Sequence, residues 1–165
     1  MPIRVLIVDD SAFMRNALGK MLSSDPEIVV AGIAKDGVEA LEKIAQLKPD
    51  LVTMDIEMPR MDGIEALRRI MATMPLPVIM VSSLTVEGAK ATLEALEIGA
   101  VDFLSKNLAD LSLNILQVRE ALLEKVKQIA RRRVRQAGLP PVRAYQAPAP
   151  AATPGAGEHR TEYRK

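Results

Sequence analysis

Several apolar runs in this 165-residue chain end at side chains that can do chemistry. Val5–Val8 stops at Asp9-Asp10, Leu51–Met54 at Asp55 and Pro77–Val81 at Ser82, and Val101–Leu104 is followed within two residues by Lys106. Each has an ordinary explanation when taken singly. Paired acids before Ser11 suit a helix N-terminus, Asp55 could be a loop acid, Ser82 a turn residue and Lys106 a surface cation. Their joint occurrence at four run ends points instead to a site of three carboxylates, a hydroxyl and an ammonium. Clustered carboxylates repel and raise one another's pKa, so the cluster calls for a counter-ion. Oxygen donors suit a hard divalent cation that keeps its waters, and Mg2+ fits better than zinc. A phosphoryl group would complete the site, held by the metal, Lys106, the Ser82 hydroxyl and backbone N–H groups after Asp55. A carboxylate can act as nucleophile and form an acyl phosphate, and in-line transfer needs mainly positioning and charge neutralisation. The residue types therefore predict phosphoryl transfer to Asp55, assisted by a metal held by Asp9, Asp10 and Asp55.

These residues meet only if the runs lie side by side. Strand and helix patterns alternate five times. Predicted strands cover 3–8, 28–33, 51–54, 77–81 and 101–104. Ser11 caps a helix to about Ser24, with Phe13, Leu18, Met21 and Leu22 at helical spacing. Asp36-Gly37 opens a second helix, with Val38, Leu41, Ile44, Ala45 and Leu47 inward. Asp62 with Glu65 reads as a capping box for a helix through Met71. Thr85 starts a helix that stops at Gly99, and a last one runs from about Ser112 to the arginines near 135. Such alternation implies a parallel sheet covered on both faces. Five units in about 125 residues predict a doubly wound, flavodoxin-like (βα)5 α/β fold of strand order 2-1-3-4-5, with function at the carboxyl ends of the strands. No G-x-G-x-x-G follows the first strand, so a dinucleotide site has no support.

Composition narrows the field. The chain has no cysteine, which removes disulfides, thiolate zinc and cysteine catalysis. No apolar run approaches a membrane span, and a cytoplasmic protein is expected. Net charge is +1, yet residues 126–165 carry +7 and the remainder −6. After Gly138 the sequence is rich in Pro, Ala and Gly and reads as a linker or disordered tail. The expected division is therefore 1–130 as the α/β domain and 131–165 as a basic helix end and Pro/Ala-rich linker or tail. "RRRVR" at 131–135 reads as a solvated helix end rather than a nucleic-acid site, since no aromatics interleave with it.

The stretches "VLIVDDSAFMR", "TMDIEMPRMDG", "VIMVSSLT" and "GAVDFLSK" resemble a response-regulator receiver domain. The resemblance covers residues 3 to about 130. Its wording, above all "MDIEMPRMDGIEAL" and "MVSSLT", is similar to the regulatory domain of chemotaxis protein-glutamate methylesterases, the CheB family. The resemblance implies that Asp55 is phosphorylated by a CheA-like chemotaxis histidine kinase. It implies Mg2+ bound directly by Asp10 and Asp55, with the Glu57 backbone carbonyl as third ligand and Asp9 acting mainly through water. Lys106 would pair with the phosphoryl group, Ser82 would hydrogen-bond to it, and Phe103 would be a switch aromatic. Full-length relatives carry a C-terminal methylesterase domain acting on chemoreceptors, which the receiver blocks until phosphorylated, mainly with the face of its fourth and fifth helices.

Two features depart or add. Asn107 stands where the family usually has proline, often after a cis bond. A cis bond before a non-proline residue costs about 2.5–4 kcal/mol, so the Lys106–Asn107 bond is expected to be trans or strained. Glu57 adds negative charge beside the metal and is expected to affect metal affinity or phosphoryl lifetime. The one histidine, His159, lies in the low-complexity tail, where a positioned general base is implausible; no ester hydrolysis is expected of this chain. The alternatives are a stand-alone receiver that acts by binding, and an aspartyl phosphatase. The phosphatase would carry Asp-x-Asp after strand 1 rather than the adjacent pair found here.

Overall fold

The computed structural model describes residues 1–83, 85–106 and 114–137, with side chains described as far as Arg133. The chain divides into two units at Arg133, Met1–Arg133 and Val134–Lys165. The first unit holds β1 (Ile3–Val8), α1 (Ala12–Ser23), β2 (Ile28–Ala34), α2 (Gly37–Leu47), β3 (Leu51–Asp55), α3 (Gly63–Thr73), β4 (Val78–Ser82), α4 (Val86–Ile98), β5 (Asp102–Ser105) and most of α5 (Ile115–Ala137). The strands form one parallel sheet in the order β2-β1-β3-β4-β5. Asn107 and the expected first residues of the last helix, 112–113, lie outside the described residues.

Side chains alternate across the sheet, so each strand serves two cores. Leu6, Val8, Val52, Met54, Val78 and Met80 pack with residues of α2, α3 and α4. Val5, Ile7, Leu51 and Ile79 pack with residues of α1 and α5, among them Leu18, Leu22, Leu122 and Val126. This two-sided cover explains why β1, β3 and β4 read as continuous apolar runs. β2 lies at the sheet edge, and Val29 and Ile33 are exposed.

Local signals set the helix starts. Ser11, Asp36, Asp62 and Thr85 each cap a helix, and each side chain accepts an N–H three residues on. Gly99 ends α4. Two expectations about helix phase fail. Phe13 is 63% exposed, because Met14, Leu18, Met21 and Leu22 form the inward stripe of α1 and Phe13 lies about a quarter turn off it. Ala45 is also exposed, since α2 turns Gly37 and Ala40 inward alongside the expected Ile44.

Residues 131–133 are exposed, as expected of a solvated helix end, and α5 is also anchored. Lys127 pairs with Asp25 (2.6 Å) and Glu27 (3.4 Å), and Arg133 Nη1 donates to the Asp50 carbonyl (2.7 Å). No described helix is long and apolar enough to cross a membrane.

Candidate functional site: an acidic rim at the carboxyl ends of the strands

The carboxyl ends of β1, β3, β4 and β5 border a cleft of about 780 Å³ whose walls include Asp10, Asp55, Glu57, Ser82 and Lys106. Asp9 lies beneath them. It directly follows β1, its N–H donates to the Ala34 carbonyl (3.0 Å), and its side chain is fully buried. Asp9 Oδ1 accepts from the Ser11 N–H (2.9 Å), which ties the acid to the start of α1. Asp10, next in the chain, is exposed at the mouth. Asp55 is the last residue of β3 and is 4% exposed.

Lys106 reaches this group from the far side of the sheet. Its N–H donates to the Ser82 carbonyl, which continues the β4–β5 pairing by one step. Its Nζ then lies 3.2 Å from Asp55 Oδ2 and 3.4 Å from Asp9 Oδ1. Burial pulls the Lys106 ammonium down, but the carboxylates of Asp55 and Asp9 outweigh it and hold its pKa above the usual lysine value. Burial pushes Asp55 up, and the charge of Asp9 and a hydrogen bond with Asp10 add to this. Lys106 opposes them, and the result is about 7.

Asp9, Asp10 and Asp55 each offer an oxygen within 4.8 Å of the others. Asp9 Oδ2 is buried and has no hydrogen-bond partner among the described residues. A buried orphaned acceptor is costly, and one ammonium cannot neutralise three carboxylates. An all-oxygen donor set beside that orphaned atom fits a hard divalent cation such as Mg2+. Chemically, the site offers a carboxylate nucleophile, an ammonium and a hydroxyl facing one cleft.

The structure thus brings together Asp9, Asp10, Asp55 and Lys106, and puts Ser82 and Glu57 in the cleft wall. Phe103 is 45% exposed on β5, outside the cleft lining. Sequence reasoning missed two contributors. Phe13, the residue misplaced in phase, lines the cleft. Gly63 lets α3 approach Asp55: its N–H donates to the Ile56 carbonyl (2.8 Å), and a Cβ there would lie 2.0 Å from the Asp55 carbonyl oxygen. The only signal for it was a glycine following a capping aspartate.

The protein family described as "Response regulator receiver domain" matches residues 5–116. The chain is 58% identical over 150 residues to "Protein-glutamate methylesterase/protein-glutamine glutaminase 1" of Oleidesulfovibrio alaskensis, covering 91% of this chain and 41% of that protein. It is 60% identical over 132 residues to a second such protein, from Nitratidesulfovibrio vulgaris, covering 80% and 36%. The chain therefore spans about two fifths of the length of these curated relatives. Among solved structures, the response regulator domain of Thermotoga maritima CheB aligns with a TM-score of 0.72 at 56% identity, covering 79% of this chain and 98% of that one. Fold, acidic rim and these similarities agree: the chain belongs to the response regulator receiver family, in its chemotaxis methylesterase (CheB) branch.

Proposed function

We propose that Asp55 accepts a phosphoryl group from a CheA-like chemotaxis histidine kinase, and that this modification controls a methylesterase/glutaminase effector acting on chemoreceptors. The single observation that carries the reading is the half-buried lysine shared by two strand-end carboxylates, with Lys106 Nζ 3.2 Å from Asp55 and 3.4 Å from Asp9. An Asp55 oxygen attacks the phosphorus, an O–P bond forms, and the bond to the donor's imidazole nitrogen breaks with its electron pair leaving on that nitrogen. Lys106 favours the ionised form of Asp55 for the attack and pairs with the phosphoryl oxygens afterwards. The Ser82 hydroxyl donates to one of them. Asp10, Asp55 and the Glu57 carbonyl would hold Mg2+, with Asp9 acting mainly through water, and the ion would neutralise charge on the transferring group.

Phe103 serves as the switch aromatic. Its 45% exposure suits the outward, unphosphorylated setting, from which it would turn inward as Ser82 moves to the phosphoryl group. Residues 1–130 act as the receiver and 131–165 as the tether. The methylesterase and glutaminase names of the relatives support the effector, and a cytoplasmic setting suits the kinase partner. Nucleic acid is not a proposed partner.

Intact mass after incubation with acetyl phosphate and Mg2+ tests the reading. One added phosphoryl group in the wild type, absent in Asp55→Asn and absent after chelation, is the expected result. No adduct, even at early times, together with no beryllofluoride complex, would reject it.

A further inference from the structure

We propose that Asp36 and Arg60 are a positioning pair that holds the loop after Asp55 in the shape that admits a divalent cation, so that the start of α2 tunes metal affinity from outside the acidic cluster. This rests on the proposed metal-assisted phosphorylation of Asp55.

Residues 56–62 join β3 to α3, and Glu57 within them lines the cleft. The loop is closed at its base by the Gly63 N–H on the Ile56 carbonyl (2.8 Å). Its tip is tied to another element. The Gly37 N–H, at the start of α2, donates to the Met61 carbonyl (3.0 Å). A Cβ at Gly37 would lie 2.7 Å from that same oxygen, so the two backbones touch.

Arg60 sits between these ties with φ at 66°, in the left-handed region. A long side chain rarely adopts that conformation, and it persists where the surroundings over-determine it. Burial is not the reason, because the Arg60 side chain is 58% exposed. Its Nε (2.8 Å) and Nη2 (2.7 Å) both converge on Asp36 Oδ2. The Asp36 side chain is 3% exposed, and its other oxygen accepts the Glu39 N–H (2.9 Å) as the cap of α2. One buried carboxylate thus joins a helix start to the loop that carries Glu57. Groups that orient a metal's surroundings without touching the ion commonly set its affinity.

Arg60→Gly removes the guanidinium and accepts the left-handed backbone, so this variant is expected to fold. Asp36→Asn keeps an acceptor for Glu39 and removes the charge. Mg2+ binding is measured by titration calorimetry on the 165-residue chain, and acetyl phosphate labelling is followed against Mg2+ concentration. Each variant should raise the Mg2+ dissociation constant about tenfold. The double variant should do no worse than either single, as expected of a coupled pair. The Mg2+ needed for half-maximal labelling should rise in step, while the rate at saturating Mg2+ holds, and Arg60→Lys should recover part of the loss. A merely stabilising pair would lower the melting temperature and leave Mg2+ affinity at the wild-type value, and that result overturns the proposal. A wild type that binds no Mg2+ overturns the proposed function with it. A wild type that binds while both variants match it overturns only the pair.

Discussion

Lys106 Nζ stands 3.2 Å from Asp55 Oδ2, so the residue after β5 reaches across the end of β4 to the end of β3. The same ammonium is 3.4 Å from Asp9 at the end of β1. One side chain therefore spans the rim, and its removal should be felt in chemistry first. Charge-assisted hydrogen bonds contribute roughly 1.5–3 kcal/mol, so Lys106→Met should slow acetyl phosphate labelling about tenfold to a hundredfold. Time-resolved intact mass measures this. Labelling at the wild-type rate would mean that Lys106 plays no part in transfer.

Metal and stability should move in opposite directions at Asp10. It is exposed and lies within 4.8 Å of two other carboxylates. Like charges at that separation in a water-like medium repel by about 1 kcal/mol. With chelator present, Asp10→Asn should therefore unfold at slightly higher urea than the wild type. Adding Mg2+ should reverse the order, because a ligand that binds only the folded state stabilises it in proportion to its affinity. Urea melts with and without Mg2+ decide it, and an unchanged order in both would remove Asp10 from the metal site.

Glu57 is exposed in the cleft wall, so its charge acts through solvent. Glu57→Gln should weaken Mg2+ binding only about twofold to threefold, as expected of a screened surface charge. Phosphoryl lifetime should be measured alongside. Unchanged values for both would show that the carboxylate is inert.

Gly63 gives a steric prediction. A Cβ there would lie 2.0 Å from the Asp55 carbonyl oxygen and 3.0 Å from the Ile56 Cα, both backbone atoms that cannot swing away. Gly63→Ala should destabilise the fold by about 3 kcal/mol and lower labelling in the molecules that remain folded. Urea denaturation of the variant checks the first part. A loss under about 0.5 kcal/mol, the level of an ordinary surface change, would mean that α3 shifts freely.

How much of this was legible beforehand follows from what each feature depends on. Strand ends were readable because a strand buried on both faces leaves an unbroken apolar run, and the run must stop where the chain meets the cleft. Asp9, Asp10, Asp55 and Ser82 were found that way, while Lys106 follows the partly exposed edge strand β5 and was found from its place after a shorter run. The sheet order came from counting five units. Phe13 and Ala45 were misplaced because spacing gives a helix's period, while packing against the sheet fixes its phase. The Asp36–Arg60 pair joins residues 24 apart through a left-handed backbone, and neither spacing nor composition encodes that. The arginine run reads as solvated, and residues 131–133 are exposed, but spacing does not encode that Arg133 Nη1 reaches the Asp50 carbonyl 2.7 Å away, a partner 83 positions earlier.

That anchoring of α5 carries a pH prediction. Lys127 Nζ is 2.6 Å from Asp25 Oδ2 and 3.4 Å from Glu27 Oε2, which fastens the helix to the turn before β2. The hydrogen bond from Lys127, helped by the Glu27 N–H, holds the Asp25 carboxyl below its usual value of 3.8. A carboxyl depressed in the folded state adds stability that is fully present above its unfolded pKa and disappears as pH falls through the lower folded one. The wild type should therefore lose stability from about pH 4 downward, and Asp25→Asn should lose less over the same interval. The ammonium gives the mirror image. The hydrogen bond to Asp25 raises Lys127 above 10.5, so its contribution holds below that pH and fades as pH climbs through the raised value. Urea midpoints from pH 5 to 2.5, and again from pH 9 to 11.5, compare the two chains. Parallel acid limbs in wild type and Asp25→Asn would show that the pair is formed equally in the unfolded chain and does not hold α5 in place.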